Sequence, residues 1–436
     1  MELIAKRVNG TEDITPAESY KWQILERIAA ETAEAYGFGQ VRIPTFENTE
    51  LFVRSVGDTT DVVQKEMFTV TGRESSFTLR PEGTAGTIRC MLENGMLNEA
   101  LPQKVYYILS CFRHEKPQAG RLWEFHQFGV EMAGSKSPAA DAEVICLAKT
   151  LIERFGLKNI ELNINSIGCP HCRNEYYKAL RAFFEPNKDK LCDTCKSRFE
   201  KNPMRILDCK SEICQDMGKG APLMLDYLCD ECREHFETLK SLLDAMGIKY
   251  SINPKIVRGL DYYTKTVFEF IAGSGKQRGT VCGGGRYDGM IEQMGGKPTP
   301  ALGFAIGLER ILLNLKDQGF DFGDRKTCDV YIAPMGEKAA VSASVLVKKL
   351  RDEGYWAECD LMERALGKQM KYADKIGAKF AIVLGDNELE SGSAKLKNMK
   401  TGEQLPVSLG DDFIDSFSKI FVGSMFSDEK LEGLIK

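Results

Sequence analysis

At 436 residues the chain is too long to bury its apolar residues in one core, and two or three domains are expected. Hydrophobic residues make up 43% and charged residues 28%, the balance of an ordinary soluble globular protein. A formal net charge of −5 excludes a molecule that is cationic as a whole, so any contact with RNA must come from local basic patches.

No apolar run reaches the length of a membrane span, and Met1-Glu2-Leu3-Ile4-Ala5-Lys6-Arg7 lacks a secretory apolar stretch. A cytoplasmic location and no membrane partner are expected. In that setting 14 cysteines point to free thiols or metal ligands rather than disulfides.

Thr15-Pro16-Ala17-Glu18 has the form of a capping box with proline in the first turn, so a helix is expected from there. Trp22, Leu25, Ile28, Ala29, Ala33 and Tyr36 recur at helical spacing, and Gly37 or Gly39 ends the run. In the extended stretch Gln40–Glu47, Pro44 marks an edge. Leu79-Arg80-Pro81-Glu82-Gly83-Thr84-Ala85-Gly86 ends a strand and opens a helix. Such a joint brings backbone N–H groups and the Glu82 carboxylate near whatever binds there, although glycines alone would also fit an ordinary turn.

Val105 to Glu131 reads as two strands around a polar loop that holds Pro117, Gln118, Ala119 and Gly120. On the return strand, Gln127, Gly129 and Glu131 share one face, and Phe128, Val130 and Met132 the other. The first face offers an acceptor, a gap and an acid. Arg113 and Arg121 bracket the hairpin, two cations suited to phosphate oxygens.

From Ser166 to about Phe236 three CxxC pairs appear, Cys169/Cys172, Cys192/Cys195 and Cys229/Cys232, with Cys209 and Cys214 as a looser fourth. Paired thiolates at this spacing can meet one tetrahedral zinc ion, so eight thiols could fill one site with spares or two complete sites. Buried cysteines without metal are the plainer alternative, and a redox role lacks the βαβ frame it needs. Any zinc here is expected to be structural, a staple for a small inserted module.

Val257–Glu269 carries Arg258 ahead of Tyr262 and Tyr263, and Thr280–Gly289 carries three successive glycines after a strand, then Tyr287. The glycines fit a turn or a close approach of backbone or ligand, and the order required of a dinucleotide fingerprint is missing. Ala301–Leu312 reads as a small-residue strand running into a helix whose first turns hold Arg310. Gln318–Lys326 reads as a linker. Beyond it, Cys328–Pro334 and Lys379–Gly385 read as strands and Glu337–Glu353 as an amphipathic helix, a small α/β domain with a mixed sheet. Arg364, Lys368, Lys371 and Lys375 fall at near-helical spacing around Gln369 and Tyr372. The residues after Gly410 have helical periodicity and no functional reading.

Phe112-Arg113-His114-Glu115, Arg121 and Phe125-His126-Gln127-Phe128-Gly129-Val130-Glu131 resemble the second signature of class II aminoacyl-tRNA synthetases, in the form found in the histidyl-tRNA synthetase family. Val257–Glu269 is similar to a segment specific to that family, and Gln40–Glu47 and Ala301–Leu312 resemble the first and third class II signatures. The resemblance implies an α+β catalytic core with a mostly antiparallel sheet over 1–324, a helical Cys-rich insertion at 166–240, and an anticodon-binding α/β domain with tail at 326–436. It implies that Glu82, Thr84 and Gln127 hold the α-ammonium of histidine, and that Glu131, Tyr262, Tyr263 and Tyr287 border its imidazole. For ATP it implies Arg113, Glu115, Arg121, Phe125 and Arg310, with Arg258 and Arg113 as the catalytic cations and Mg2+ as companion.

Ligation of histidine to its tRNA through histidyl-adenylate, by a homodimer, follows from the same resemblance, and the basic run around Tyr372 would face tRNA phosphates. Val8-Asn9-Gly10-Thr11 departs from the pattern, with asparagine where the family often has a basic residue, so recognition of the tRNA end is not carried over to it. Two other readings compete. A non-catalytic, histidine-sensing regulatory paralogue should have lost the Arg258 segment or the C-terminal domain. A zinc-dependent nucleic-acid binder would account for the insertion alone.

Overall fold

The computed structural model describes residues 5–57, 60–73, 75–116, 120–209, 211–273 and 279–427. Residues 1–4, the hairpin residues Pro117, Gln118 and Ala119, and the end of the tail lie outside the described residues. The chain forms two compact units, Met1–Phe322 and Gly323–Lys436.

In the first unit α1 (Pro16–Ala35) starts at the proline, but the expected capping box does not form. The Thr15 carbonyl accepts from the Glu18 and Ser19 N–H groups at 2.9 and 2.8 Å, while the Glu18 carboxylate turns outward to Lys21 at 2.9 Å. The stretch Gln40–Glu47 is also not one strand. Pro44 divides it into β1 (Gly39–Gln40), paired with the main sheet, and β2 (Phe46–Asn48), paired with a small separate one. After α2 (Thr49–Val56), β3 (Thr69–Thr71) and β4 (Ser76–Leu79) complete that small sheet in the order β2-β4-β3.

The joint expected after Leu79 opens α3 (Thr84–Glu93). The expected hairpin is β5 (Gln103–Phe112) against β6 (Glu124–Ala133), paired without a break from Gln103↔Ala133 to Phe112↔Glu124. α4 (Pro138–Arg154) and β7 (Glu161–Ser166) follow, then the insertion with α5 (Pro170–Phe184), α6 (Asp193–Lys201), α7 (Glu212–Met217) and α8 (Asp230–Ala245). The unit closes with β8 (Ser251–Ile252), β9 (Thr264–Ala272), β10 (Gly279–Arg286), α9 (Met290–Gln293), β11 (Ala301–Gly307) and α10 (Leu308–Asp317).

The main sheet runs β1-β5-β6-β11-β10-β9-β7-β8 and is antiparallel except at its outermost pairs, β1/β5 and β7/β8. One face carries Phe128, Val130, Met132, Leu302, Phe304, Ile306, Phe268 and Phe270, all buried in one core with residues of α1, α4 and α8. Each such side chain contributes about 1.5–3 kcal/mol by leaving water. On the opposite face the registers Gly129↔Ala305, Gly283↔Ala305 and Gly285↔Gly303 line up small residues across three strands, and Tyr107, Arg258, Tyr263 and Glu131 pack into the room they leave.

Gly283, Gly284 and Gly285 lie inside β10 rather than in a turn after a strand. The reason is close approach: a β-carbon on Gly284 would meet the Gly303 carbonyl oxygen at 2.3 Å, and one on Gly283 would meet the Arg258 guanidinium at 2.4 Å.

In the second unit the order is β13-β12-β14-β15-β16, built from β12 (Val330–Pro334), β13 (Ala357–Cys359), β14 (Phe380–Leu384), β15 (Ser393–Asn398) and β16 (Gln404–Ser408). β12 is parallel to β13 and β14, and the rest are antiparallel, so the sheet is mixed as expected. Residues of α11 (Glu337–Asp352) and α14 (Phe413–Ser427) share one core with the sheet, and Ala373 of α12 (Leu366–Lys375) lies in another. A short α13 (Asp386–Ser391) follows β14. The periodicity after Gly410 is therefore a packing signal, with Phe413, Phe417 and Phe421 of α14 buried. Among the described residues no helix is long and apolar enough to cross a membrane.

Candidate active site

Glu131, on β6, is buried at 1% exposure. Its Oε1 accepts from the Tyr107 hydroxyl at 3.1 Å and its Oε2 accepts from the Tyr287 hydroxyl. Opposite it stands Gly303, where a β-carbon would fall 2.1 Å from Oε2. Burial pushes the Glu131 carboxyl up to about 8, against the opposing effect of the hydroxyl donors. Burial and the neighbouring acid raise the pKa of Tyr107 and Tyr287, so both phenols stay protonated as donors.

Tyr262, Tyr263 and Tyr287 close the pocket as an aromatic box, with ring centroids 4.6, 5.4 and 6.5 Å apart. Arg286, the residue before Tyr287 in the chain, is fully buried, ion-paired with Asp141 and donates to the Ser135 carbonyl at 2.7 Å. An acid ringed by phenols can take a small heteroaromatic ring that both donates and accepts a proton.

At one end of this pocket Glu82 accepts from the Thr84 and Ala85 N–H groups at 2.7 and 2.8 Å and caps α3. Burial raises its pKa while those N–H groups oppose the shift. Gln127, on the same strand as Glu131, accepts from the Cys111 thiol at 3.3 Å. Arg80 is not a ligand group: its guanidinium is spent on the carbonyls of Ser110, Ile43 and Pro44 at 2.6–2.9 Å.

Cations border the trench. Arg113 donates through Nε to the Pro81 carbonyl at 2.8 Å, and its guanidinium lies over the Phe125 ring at 5.4 Å. Arg258 pairs with Glu269, whose other oxygen accepts from Thr280 Oγ1 at 3.0 Å. Burial opposes the Arg258 charge, and Tyr263 and Glu269 raise its pKa all the same. Its Nε is buried with no hydrogen-bond partner among the described residues. Arg310 donates to the Thr280 carbonyl, and burial together with the Arg121 charge lowers its pKa. Arg121 in turn pairs with Glu115 at 3.2 Å.

Glu131, Tyr262, Tyr263 and Tyr287 thus come together, Glu82 and Thr84 adjoin them, and Arg121, Glu115 and Arg310 form a second group. Sequence reasoning gave no role to Tyr107, Glu269, Gly303 or Arg286. Tyr107 was hidden as one more apolar residue of a buried strand, yet the alternation of β5 faces it toward Gly129, where a β-carbon would meet its ring. Glu269 could have been found by the same test, since it shares a strand face with Val267 at the Gly283 register.

The eight insertion cysteines sort into two quartets, Cys169/Cys172/Cys229/Cys232 and Cys192/Cys195/Cys209/Cys214, with all sulfurs of a quartet within 4.8 Å of one another. Of the two arrangements the spacing allowed, two complete sets is the one formed.

A family model described as histidyl-tRNA synthetase matches residues 10–171 and 220–311, and one described as anticodon binding domain matches 329–419. The first leaves out 172–219, which holds the whole second quartet. The chain is 53% identical over 408 residues to the histidine–tRNA ligase of Acetivibrio thermocellus, covering 93% of this chain and 98% of that protein. It is 52% identical over 410 residues to that of Caldanaerobacter subterraneus subsp. tengcongensis, covering 94% and 98%. Among solved structures, the apo histidyl-tRNA synthetase of S. aureus superposes with a TM-score of 0.82 at 38% identity, over 95% of this chain and 100% of that one.

Proposed function

The chain belongs to the histidyl-tRNA synthetase family, and from that membership we propose how its side chains divide the reaction among them. It is an ATP-dependent ligase that charges tRNA with histidine. The histidine carboxylate attacks the α-phosphorus of ATP and expels pyrophosphate. The terminal ribose hydroxyl of the tRNA then attacks the acyl carbon of the adenylate and expels AMP.

Glu131 accepts the imidazole N–H, and a phenol among Tyr107, Tyr263 and Tyr287 donates to the second ring nitrogen, while Tyr262 packs beside them. Glu82, Thr84 and Gln127 surround the α-ammonium, which brings three donors and needs acceptors. Arg113 and Arg258 take the oxygens of the α-phosphate, where negative charge builds as the carboxylate attacks. Permanently charged, planar donors fixed before the reaction supply that stabilisation without reorganising. Arg310 and Arg121 meet the outer phosphates, Glu115 steadies Arg121, and Phe125 offers a face to the base. Magnesium arrives as the counter-ion of ATP, held mainly by phosphate oxygens in the manner general for that ion.

The single observation that carries this reading is the buried acid with its phenols beside the Arg258 guanidinium, packed over the glycines of one sheet face. Retention of both the Arg258 segment and the C-terminal unit disfavours the regulatory paralogue. Two partners complete the proposal. A second copy of the chain covers the small sheet β2-β4-β3, where Phe46, Val70 and Phe77 stand exposed and the two phenylalanine rings lie 5.4 Å apart. The tRNA anticodon arm meets the second unit, and the cytoplasm is the place of action.

The deciding assay is histidine-dependent exchange of labelled pyrophosphate into ATP. Exchange driven by another amino acid, or by none, overturns the assignment. Arg258→Ala is expected to abolish most of the exchange while the protein stays folded.

A further inference from the structure

The second cysteine quartet closes the loop from Cys192 to Cys214, and three polar side chains inside that loop reach out to the catalytic unit. Arg205, 4% exposed, donates to the Arg258 carbonyl at 2.7 Å. Asn202 donates to Asp261 at 3.1 Å, and Arg198 to Asp61 at 3.3 Å. The first quartet grips the other end of the same segment. Next to Cys169, the Gly168 carbonyl accepts from the Lys265 N–H at 2.9 Å, and Arg173 of α5 donates to the Tyr263 carbonyl. Insertion residues and the pocket tyrosines also share one apolar core, so the insertion is not an independent module.

We propose that the insertion binds two zinc ions, one per quartet, and that together they fix both ends of the 258–265 segment and so position Arg258. The second half rests on Arg258 acting at the phosphate; the first does not. A tetrahedron with zinc–sulfur bonds of about 2.3 Å has sulfurs about 3.8 Å apart. Cys192 and Cys209 stand at 3.8 Å and Cys169 and Cys172 at 3.5 Å, far beyond the ~2.05 Å of a disulfide. A four-iron cluster, in which each thiolate binds a different iron at a corner of an iron–sulfide cube, would spread the cysteine sulfurs wider than the 4.8 Å seen.

Backbone N–H groups already point at the sulfurs: Cys229 to Cys172 at 3.1 Å, and Cys192 to Cys214 and Ser211 to Cys209 at 3.4 Å each. Such donors offset the negative charge that four thiolates keep after binding a divalent ion. Arg205 is then a positioning residue. Its own place depends on closure of the 192–214 loop, and it orients Arg258 through the backbone.

The test begins with metal analysis of the purified full chain, where two zinc ions per chain are expected. Cobalt exchanged into both sites should give the charge-transfer and d–d bands of tetrahedral thiolate coordination. Cys214→Ser should hold one ion and Cys359→Ser, outside both quartets, two. Arg205→Met should keep two ions and its thermal midpoint, yet lose about 10- to 100-fold in kcat for pyrophosphate exchange with KM for histidine unchanged, and Arg205→Lys should restore most of it.

Fewer than two ions per chain, or cobalt without thiolate bands, overturns the two-site assignment. Unchanged kcat in Arg205→Met overturns the tether, as does a loss that Arg205→Lys does not repair. Unchanged exchange in Arg258→Ala would instead sink the role of Arg258 itself and leave the metal stoichiometry standing.

Discussion

Burial holds the Glu131 proton until about pH 8, whereas an unfolded glutamate gives it up near pH 4.3. A pKa raised by folding means the folded state binds the proton more tightly. Its stabilising share is therefore complete below about pH 4.3 and is lost as pH rises through about 8. The thermal midpoint of the protein relative to Glu131→Gln should fall across that window. Histidine binding has the opposite sign, since an imidazole N–H needs the carboxylate. Calorimetric titration should show affinity rising from about pH 7 toward 9, after the ligand's own ring has lost its charge. In Glu131→Gln that slope should vanish, and affinity should drop by about 1.5–3 kcal/mol, the range for hydrogen bonds to a charged group. An equal slope in both proteins would move the imidazole elsewhere.

Glu269 works on the same scale. It holds the Arg258 guanidinium through one oxygen and Thr280 through the other. Glu269→Ala should leave Arg258 charged but unguided, lowering kcat for pyrophosphate exchange about 10- to 100-fold with little change in KM for histidine. Glu269→Gln, which keeps an acceptor in place, should lose less. A rise in KM without loss of kcat would mean that Glu269 binds substrate rather than steering Arg258.

At the scale of elements, the trench exists because three neighbouring strands place small residues at one register. Gly303 is the tightest point, where a β-carbon would lie 2.1 Å from Glu131 Oε2 and 2.2 Å from the Val130 carbonyl oxygen. Backbone on one side leaves nowhere to give way, so Gly303→Ala should cost about 1–3 kcal/mol in denaturant unfolding and abolish histidine binding. Retained binding would show that the pocket can rearrange. The sequence made half of this trench readable, because period-two alternation put Gln127, Gly129 and Glu131 on one face. It hid the other half, because which glycine opposes Glu131 depends on a register between β6 and β11, some 170 residues apart in the chain. Gly283–Gly285 fitted either a turn or a close approach of backbone or ligand for a related reason. Glycine runs mark turns locally, and the crowding of Gly303 and Arg258 from neighbouring elements decides for the close approach, inside a strand. The CxxC pairs were legible as candidate ligands by spacing alone, but their grouping into quartets was fixed by the fold of the insertion, not by sequence order. The capping box failed because Glu18 had a nearer partner in Lys21 than the backbone it was expected to cap.

For the molecule as a whole, a net charge of −5 means that tRNA, a polyanion, must be held by a local patch against a repulsive background. In the second unit α12 presents Lys368, Lys371 and Lys375 to solvent. The other two polar members of that expected patch are already engaged. Arg364 is paired with Asp360 at 2.7 Å and lies over the Tyr372 ring at 4.4 Å. Gln369 is buried and donates to the carbonyls of Pro334 and Arg364. Three lysines are flexible point charges, so they should contribute affinity through counter-ion release without reading sequence. Replacing all three by alanine should raise KM for tRNA in aminoacylation and leave histidine-dependent pyrophosphate exchange untouched, because exchange needs no tRNA. In a salt series of tRNA binding, the slope of log affinity against log salt should shrink by about one per lysine removed. A full-sized slope in the triple variant would shift the phosphate contacts to another surface, whereas a loss of exchange would show that α12 serves the chemistry and not the RNA.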